Sequence, residues 1–430
     1  MRIVTADEFN LERKFDYGTP EQNEAVKTIL EDVRREKDAA LIRYSLQFDG
    51  VKPEPIQVSQ REIEAAYNEV SPTYLSALRQ AADNIRRFHE RQKQHSWIEF
   101  EKDGVALGQL IRPLKRVGVY VPGGTAAYPS SVLMNVIPAQ VAGVAEIAMV
   151  TPPATGGKEG IHPHILVAAA EAGVKEIYRI GGAQAIGALA YGTESVPAVD
   201  KICGPGNIYV ALAKRYVYGV VDIDSIAGPT DIAVLADDSA DPEYVAADML
   251  SQAEHDEMAA AILITPSSTL AEAVKRELER QLAELPRRQI AARSLEQNGA
   301  IVIVKDLEEG IDVVNRLAPE HLELMVDRPL EVASRIENAG AIFLGPYSTE
   351  PVGDYFAGPN HILPTNGTAR FSSPLSVDDF IKKSSLISYS REALLKHAEA
   401  IMTLARHEGF EGHARAVQIR LDKEGSAESD

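Results

Sequence analysis

Apolar residues recur every three or four positions through residues 19–48 and again through 61–92, and this spacing predicts that the first hundred or so residues are mainly helical. From Arg116 the pattern changes. Short β-branched runs (VGVYV, EIAMV, EIYRI, VDKIC) alternate with helical segments such as SSVLMNVIPAQVAGV and HILVAAAEAGV. Alternation at this length predicts a parallel sheet with helical crossovers. A second round runs from Asp231 through DIAVLAD, AAAILITP, AIVIVKD, LELMV and AIFLG, so two α/β units are expected. After Gly345 the texture turns loop-like, rich in Pro, Gly, Ser and Thr, before a last helical region expected over residues 378–421. An irregular segment of that length inside a domain points to function rather than to a linker.

Composition narrows the classes. The formal charge of −19, with no cluster of Lys or Arg, argues against a nucleic-acid groove or an anionic membrane surface as the main partner. No apolar run reaches membrane-spanning length, and the acidic N-terminal stretch does not read as a signal or transit peptide. A single cysteine, Cys203, excludes an intramolecular disulfide and suits a reducing, cytoplasmic setting. At the end of an apolar strand, Cys203 reads as a small buried hydrophobe, and HPH at 162–164 as a loop entering a helix. Only the terminal GSAESD has the composition of a disordered tail.

The candidate chemistry lies mostly in the second half. Gln252 and His255 in SQAEHD are three apart, which stacks their side chains on one helix face and lets both reach one point. Glu320 and His321 in APEHLEL, Asp354 and His361 in GDYFAGPNH, and Glu408 and His413 in HEGFEGHARA add imidazoles and carboxylates. Each pair alone has an ordinary structural reading. Together they make the donor density that a metal site with a neighbouring acid–base pair requires. Three glycine-rich loops, VPGGTAAYP, GGAQAIG and CGPGNIY, follow strands of the first α/β unit. There they serve either as tight turns or as ligand loops at strand carboxyl ends; none is a G-x-G-x-x-G fingerprint.

These strings, in this order along nearly the whole chain, closely resemble the histidinol dehydrogenase family: RVGVYVPGG, GGAQAIGALAYGT, CGPGN, AGPTDIAVLAD, SQAEHD, LAPEHLEL, GDYFAGPNHILPTNGTARFSSPLSV and EGFEGHARAV. The resemblance implies two Rossmann-like parallel-sheet α/β domains in an aldehyde-dehydrogenase-like architecture. They would occupy residues 111–230, carrying the cofactor loops, and 231–376, carrying the metal and acid–base residues. A helical N-terminal region, 1–110, would pack on the second domain, and 377–430 would form a helical dimerisation arm.

The activity implied is oxidation of L-histidinol to L-histidine with two NAD⁺, the last step of histidine biosynthesis. One Zn²⁺ per subunit would be held by Gln252, His255 and Asp354, with His413 coming from the other subunit of a homodimer. Glu320 and His321 resemble the acid–base pair. His361 and Glu408 resemble substrate-binding groups, and Glu350 the carboxylate near the substrate amino group. Thr230 stands where the family often has serine, Asp231 following it where glutamate is more usual. Gln252, His255, His321, Asp354 and His413 would also face the substrate, and Tyr120, Gln184 and Asn207 would contact NAD⁺. Other readings of the same residues are a zinc- and NAD-dependent dehydrogenase of another small alcohol, such as a sulfonated diol, and a zinc hydrolase or metal-binding protein. The carboxylates and His361 suit a cationic substrate rather than a sulfonate. The Glu320–His321 pair beside three candidate cofactor loops speaks against a hydrolase.

Overall fold

The computed structural model describes residues 1–10, 18–101, 103–123, 127–154 and 160–427. Residues 124–126 of the first glycine loop and 428–430 of the expected disordered tail therefore lie outside the described residues. The chain opens with β1 (Arg2–Thr5), α1 (Pro20–Glu36), α2 (Asp38–Asp49), α3 (Gln60–Ala66) and α4 (Pro72–His89), followed by β2 (Trp97–Phe100) and β3 (Val105–Pro113). The first α/β run comprises β4 (Arg116–Tyr120), α5 (Pro129–Ala142), β5 (Glu146–Val150), α6 (Pro163–Glu171), β6 (Glu176–Tyr178), α7 (Gly182–Tyr191), β7 (Lys201–Cys203), α8 (Ile208–Val217) and β8 (Asp222–Ile223). The second comprises β9 (Asp231–Ala236), α9 (Pro242–Ala253), β10 (Ala260–Thr265), α10 (Ser268–Leu282), α11 (Arg288–Gln297), β11 (Ala300–Ile303), α12 (Leu307–Leu317), β12 (His321–Met325), α13 (Pro329–Ala333) and β13 (Ala341–Leu344). A short turn, Glu350–Val352, runs into a π-turn, Gly353–Ala357. Last come β14 (Ile381–Tyr389) and helices Arg391–His407 and Glu411–Ala427.

The chain divides into two compact units. The larger, 1–93 with 114–380, holds two all-parallel sheets, ordered β6-β5-β4-β7-β8 and β1-β11-β10-β9-β12-β13. Buried strands such as β4 and β9 are apolar on both faces because helices cover both sides. In the first sheet β4 has β5 on one side and β7 on the other, so the strand order reverses there, the position at whose carboxyl ends parallel sheets form a ligand crevice. At its rim the turn after β7 must lie flat on its neighbour. A β-carbon on Gly204, whose φ is +109°, would overlap the Tyr120 carbonyl oxygen. Gly204→Ala is accordingly expected to cost about 2–5 kcal/mol from backbone strain and overpacking. An unchanged urea-unfolding midpoint would contradict that geometry.

The N-terminal helices do not pack as expected. In α1 the stripe Val26, Ile29, Leu30 and Val33 is buried, and its Leu30 and Val33 lie against Gly187 of α7. Helices α1 and α2 thus join the core of the first sheet with α7 and α8, and α3 and α4 join α5 and α6 on the other face. Only β1 enters the second sheet, beside β11. The glycine and alanine face of α7 admits close helix contact, which explains why the layer forms on the first α/β domain rather than the second.

The smaller unit, 94–113 with 381–430, is an antiparallel sheet ordered β14-β3-β2 and two helices that bury Ala398, Met402 and Ala414 between them. This corrects two expectations, since residues 97–113 and 381–389 are strands where helix was expected. The exposures along β14 barely alternate, so no period-2 signal marked it. The final helix also continues through Ala427, into the tail read as disordered.

Candidate active site

The site gathers at the amino ends of β9 and β12 in the larger unit, not at the carboxyl ends where ligands of parallel sheets usually bind. Pairing of His321 with Ile232 puts Thr230 and Asp231 beside Glu320 and His321. Two reciprocal bonds lock the strand starts: the Glu320 amide donates to Asp231 Oδ1 (2.9 Å), and the Asp231 amide to Glu320 Oε2 (3.0 Å). The Thr230 hydroxyl donates to the same carboxylate at 2.5 Å. His321 Nδ1 lies 3.0 Å from the Asp231 carbonyl oxygen, an acceptor only, so Nδ1 carries a proton and, in the neutral ring, Nε2 the lone pair. Nε2 is buried without a hydrogen-bond partner and faces Asp354 Oδ1 at 3.6 Å.

Helix α9 runs antiparallel to the strands, so its carboxyl end reaches the same place and delivers Gln252 and, one turn on, His255. With its nitrogen toward the Glu350 carboxylate (3.1 and 3.2 Å) the Gln252 amide rests its oxygen on the Asp231 amide (3.3 Å); turned over, its nitrogen donates to the Thr230 hydroxyl, whose one proton goes to Glu320. His255 Nε2 stands 3.7 Å from Glu350 Oε1, and the Ser251 hydroxyl donates to Glu350 Oε2 at 2.7 Å. His361 Nδ1 lies 3.0 Å from the Asp354 carbonyl oxygen, which hangs this imidazole beside the π-turn. A cavity of about 560 Å³ opens at Asp354 and His361, with Phe88, Phe343, Leu363 and Leu375 among its walls.

Burial raises the Glu320 carboxyl to about 7, against the pull of His321. Burial also works against a charged His321, but Glu320, Asp354 and Glu350 outweigh it and push the imidazole up. Burial alone would raise Asp354, yet the His321, His361 and His255 rings hold it below its ordinary value. Ligating atoms of His321, Glu350 and Asp354 lie within 4.8 Å of one another, and Gln252 and His255 meet the same Glu350 carboxylate. Imidazole nitrogens and carboxylate oxygens, with the amide oxygen that Gln252 offers here once its amide is turned over, suit a borderline divalent cation, and the orphaned His321 Nε2 opens toward this cluster. The donor set fits zinc.

Thr230, Gln252, His255, Glu320, His321, Glu350, Asp354 and His361 are thus brought together. Glu408 and His413 lie in the smaller unit, both exposed, His413 with its ring 5.1 Å from that of Phe410. Sequence reasoning missed the support behind Glu350, whose amide donates to Glu323 Oε1 at 2.9 Å. Behind it Asp248 and Glu323 are two buried carboxyls, each with an oxygen lacking a hydrogen-bond partner, and burial raises both, Asp248 to about 6. The signal was available: Glu323 lies two residues beyond His321 on one strand face, and Asp248 four before Gln252 on one helix face.

The first-sheet crevice holds the other expected residues. Tyr120, ending β4, receives the Gly182 amide on its hydroxyl at 3.1 Å. Gln184, in the first turn of α7, is buried with Oε1 unpartnered. Asn207 caps α8 through Oδ1, which accepts from the Tyr209 and Val210 amides at 3.1 and 3.2 Å. Cys203 and HPH fulfil the structural readings: Cys203 is buried, and His162 precedes α6 as its cap with Pro163 first in the helix.

Residues 13–421 match the profile of the histidinol dehydrogenase family. A histidinol dehydrogenase of Halalkalibacterium halodurans is 61% identical over 425 residues, covering 99% of this chain and 100% of that protein. The chain belongs to the histidinol dehydrogenase family. As a member it is an oxidoreductase of histidine biosynthesis. The Bacillus subtilis histidinol dehydrogenase is 56% identical over 98% of this chain and 99% of its own. The fold agrees as well, since the crystal structure of histidinol dehydrogenase from Elizabethkingia anophelis superposes with a TM-score of 0.92 at 41% identity, over 96% of this chain and 95% of that one.

Proposed function

We propose that the protein oxidises L-histidinol through L-histidinal to L-histidine, with two NAD⁺ as hydride acceptors and one Zn²⁺ per subunit. Gln252, His255 and Asp354 would hold the zinc, with His413 supplied by the other subunit of a homodimer. When bound, zinc supplies Lewis-acid polarisation and a template for the amino and imidazole nitrogens of the substrate, and NAD⁺ takes up the hydride.

The chain's own residues handle protons and orientation. His321 in its neutral form, with Nδ1 committed to the Asp231 carbonyl, accepts the alcohol proton at Nε2 as hydride leaves the carbinol carbon. Glu320, positioned by the Thr230 hydroxyl and the Asp231 amide, takes a proton from the water that adds to the aldehyde. After His321 has released its first proton to solvent, a second deprotonation by its Nε2 lets the hydrate lose its second hydride and end as the acid. Glu350 and His361 orient the cationic substrate, joined by Glu408. Tyr120, Gln184 and Asn207 line the dinucleotide crevice.

The observation that carries this reading is the lone His321 Nε2, buried beside Asp354 with its tautomer set from behind. Purified protein given L-histidinol and NAD⁺ is expected to form two NADH for each substrate consumed. A yield of one NADH, or none from zinc-loaded protein, would reject the proposal.

A further inference from the structure

Asp49 is the last residue of α2, followed by Gly50 in the left-handed conformation. An acid is unfavourable there, because the carbonyl end of a helix carries partial negative charge, and no basic residue occupies that last turn. The side chain gains nothing in return: Asp49 Oδ2 is buried and has no hydrogen-bond partner. Burial raises the carboxyl to about 6, so it is held at a cost to folding.

Its surroundings point to a ligand. α2 packs on α7 with its first residue, Asp38, bonded to Ser195 beyond the carboxyl end of α7, which sets Asp49 toward the amino end of α7, where the Gly182 amide meets the Tyr120 hydroxyl at the carboxyl end of β4. This is the crevice where the strand order of the first sheet reverses, the place where parallel sheets take dinucleotides. Helix α7 begins there without a side-chain cap, and Gln184 Oε1, in its first turn, is a second buried acceptor without a partner.

Resting on the NAD⁺ reading above, we infer that the Asp49 carboxylate accepts hydrogen bonds from the vicinal hydroxyls of the adenosine ribose and makes the site select NAD⁺ over NADP⁺. A cis-diol offers two donors to a group that is all acceptor. A 2′-phosphate would remove one donor and set further negative charge against the carboxylate. Asp49 is thus a specificity residue, remote from the hydride transfer assigned to the second sheet.

The test compares wild type with Asp49→Asn, Asp49→Ala and Asp49→Glu, each checked for folding by circular dichroism. NAD⁺ and NADP⁺ are titrated calorimetrically, and KM and kcat measured with both. In the Asn and Ala variants the KM for NAD⁺ should rise about 10- to 100-fold with kcat within about threefold, as loss of a hydrogen bond to a charged group predicts. Preference for NAD⁺ over NADP⁺ should shrink about tenfold or more, and the Glu variant should recover part of both. An unchanged KM for NAD⁺, or an unchanged preference, overturns the assignment. Wild-type protein that binds neither dinucleotide would overturn the cofactor reading beneath it instead.

Discussion

His321→Asn is expected to lower the rate of NADH formation by about 10²- to 10⁴-fold, the range over which a positioned general base contributes. His321 Nδ1 is committed to the Asp231 carbonyl oxygen, leaving Nε2 as the ring's one free lone pair, and that atom is buried beside Asp354 with no partner. An asparagine amide has the size to keep the first bond but offers no basic nitrogen at the second position. The fold should tolerate it, because β12 is held by its pairing with β9 and β13 and by the reciprocal Glu320–Asp231 bonds. Stopped-flow NADH formation under saturating substrate gives the rate, and plasma mass spectrometry gives the zinc content. A variant that keeps its zinc and turns over within about tenfold of wild type would remove His321 from the role of base.

Stripping the divalent cation with a chelator should lower turnover by about 10³-fold or more, because polarisation of a substrate oxygen by a metal is worth several kcal/mol of charge stabilisation. Readdition of Zn²⁺ should restore it. The donor cluster explains why metal should matter to the resting protein too. Glu320, Glu350 and Asp354 surround His321 and favour its charged form, and a divalent cation held among these carboxylates would offset that field and favour the free base at Nε2. Asp354→Ala should bind zinc weakly for the same reason. Metal-free protein with full activity, or an Asp354→Ala protein with one zinc per subunit, would show that the cluster serves some other purpose.

Much of the larger unit was legible as periodicity. The alternation from Arg116 onward became two parallel sheets, and helix α12 ended at Leu317 as read. Gln252 and His255 were legible from their spacing of three, although α9 ends at Ala253 and His255 sits in the turn that follows. Strand β14 was not, since its exposures do not follow a two-residue period. The layer of N-terminal helices was assigned to the wrong sheet, because an amphipathic stripe tells how much apolar surface must be covered but not by which partner. Glu323 and Asp248 escaped notice because an acid in an apolar run reads as solvated until its burial is known.

What the chain determined by itself was local: the periods that select helix or strand, the caps and glycines that punctuate them, and an ordered set of motifs specific enough to name a family. What tertiary structure alone decided was convergence. Register between β9 and β12 places Glu320 and His321 against Thr230 and Asp231, about ninety positions earlier, and the antiparallel run of α9 carries Gln252 to the same end. It also decided that this site forms at the amino ends of its strands while Asp49 waits at the carboxyl ends of the other sheet. The reason is physical: periodicity acts over a few bonds, whereas the burial that orphans His321 Nε2 and Asp49 Oδ2 exists only once remote segments exclude water together.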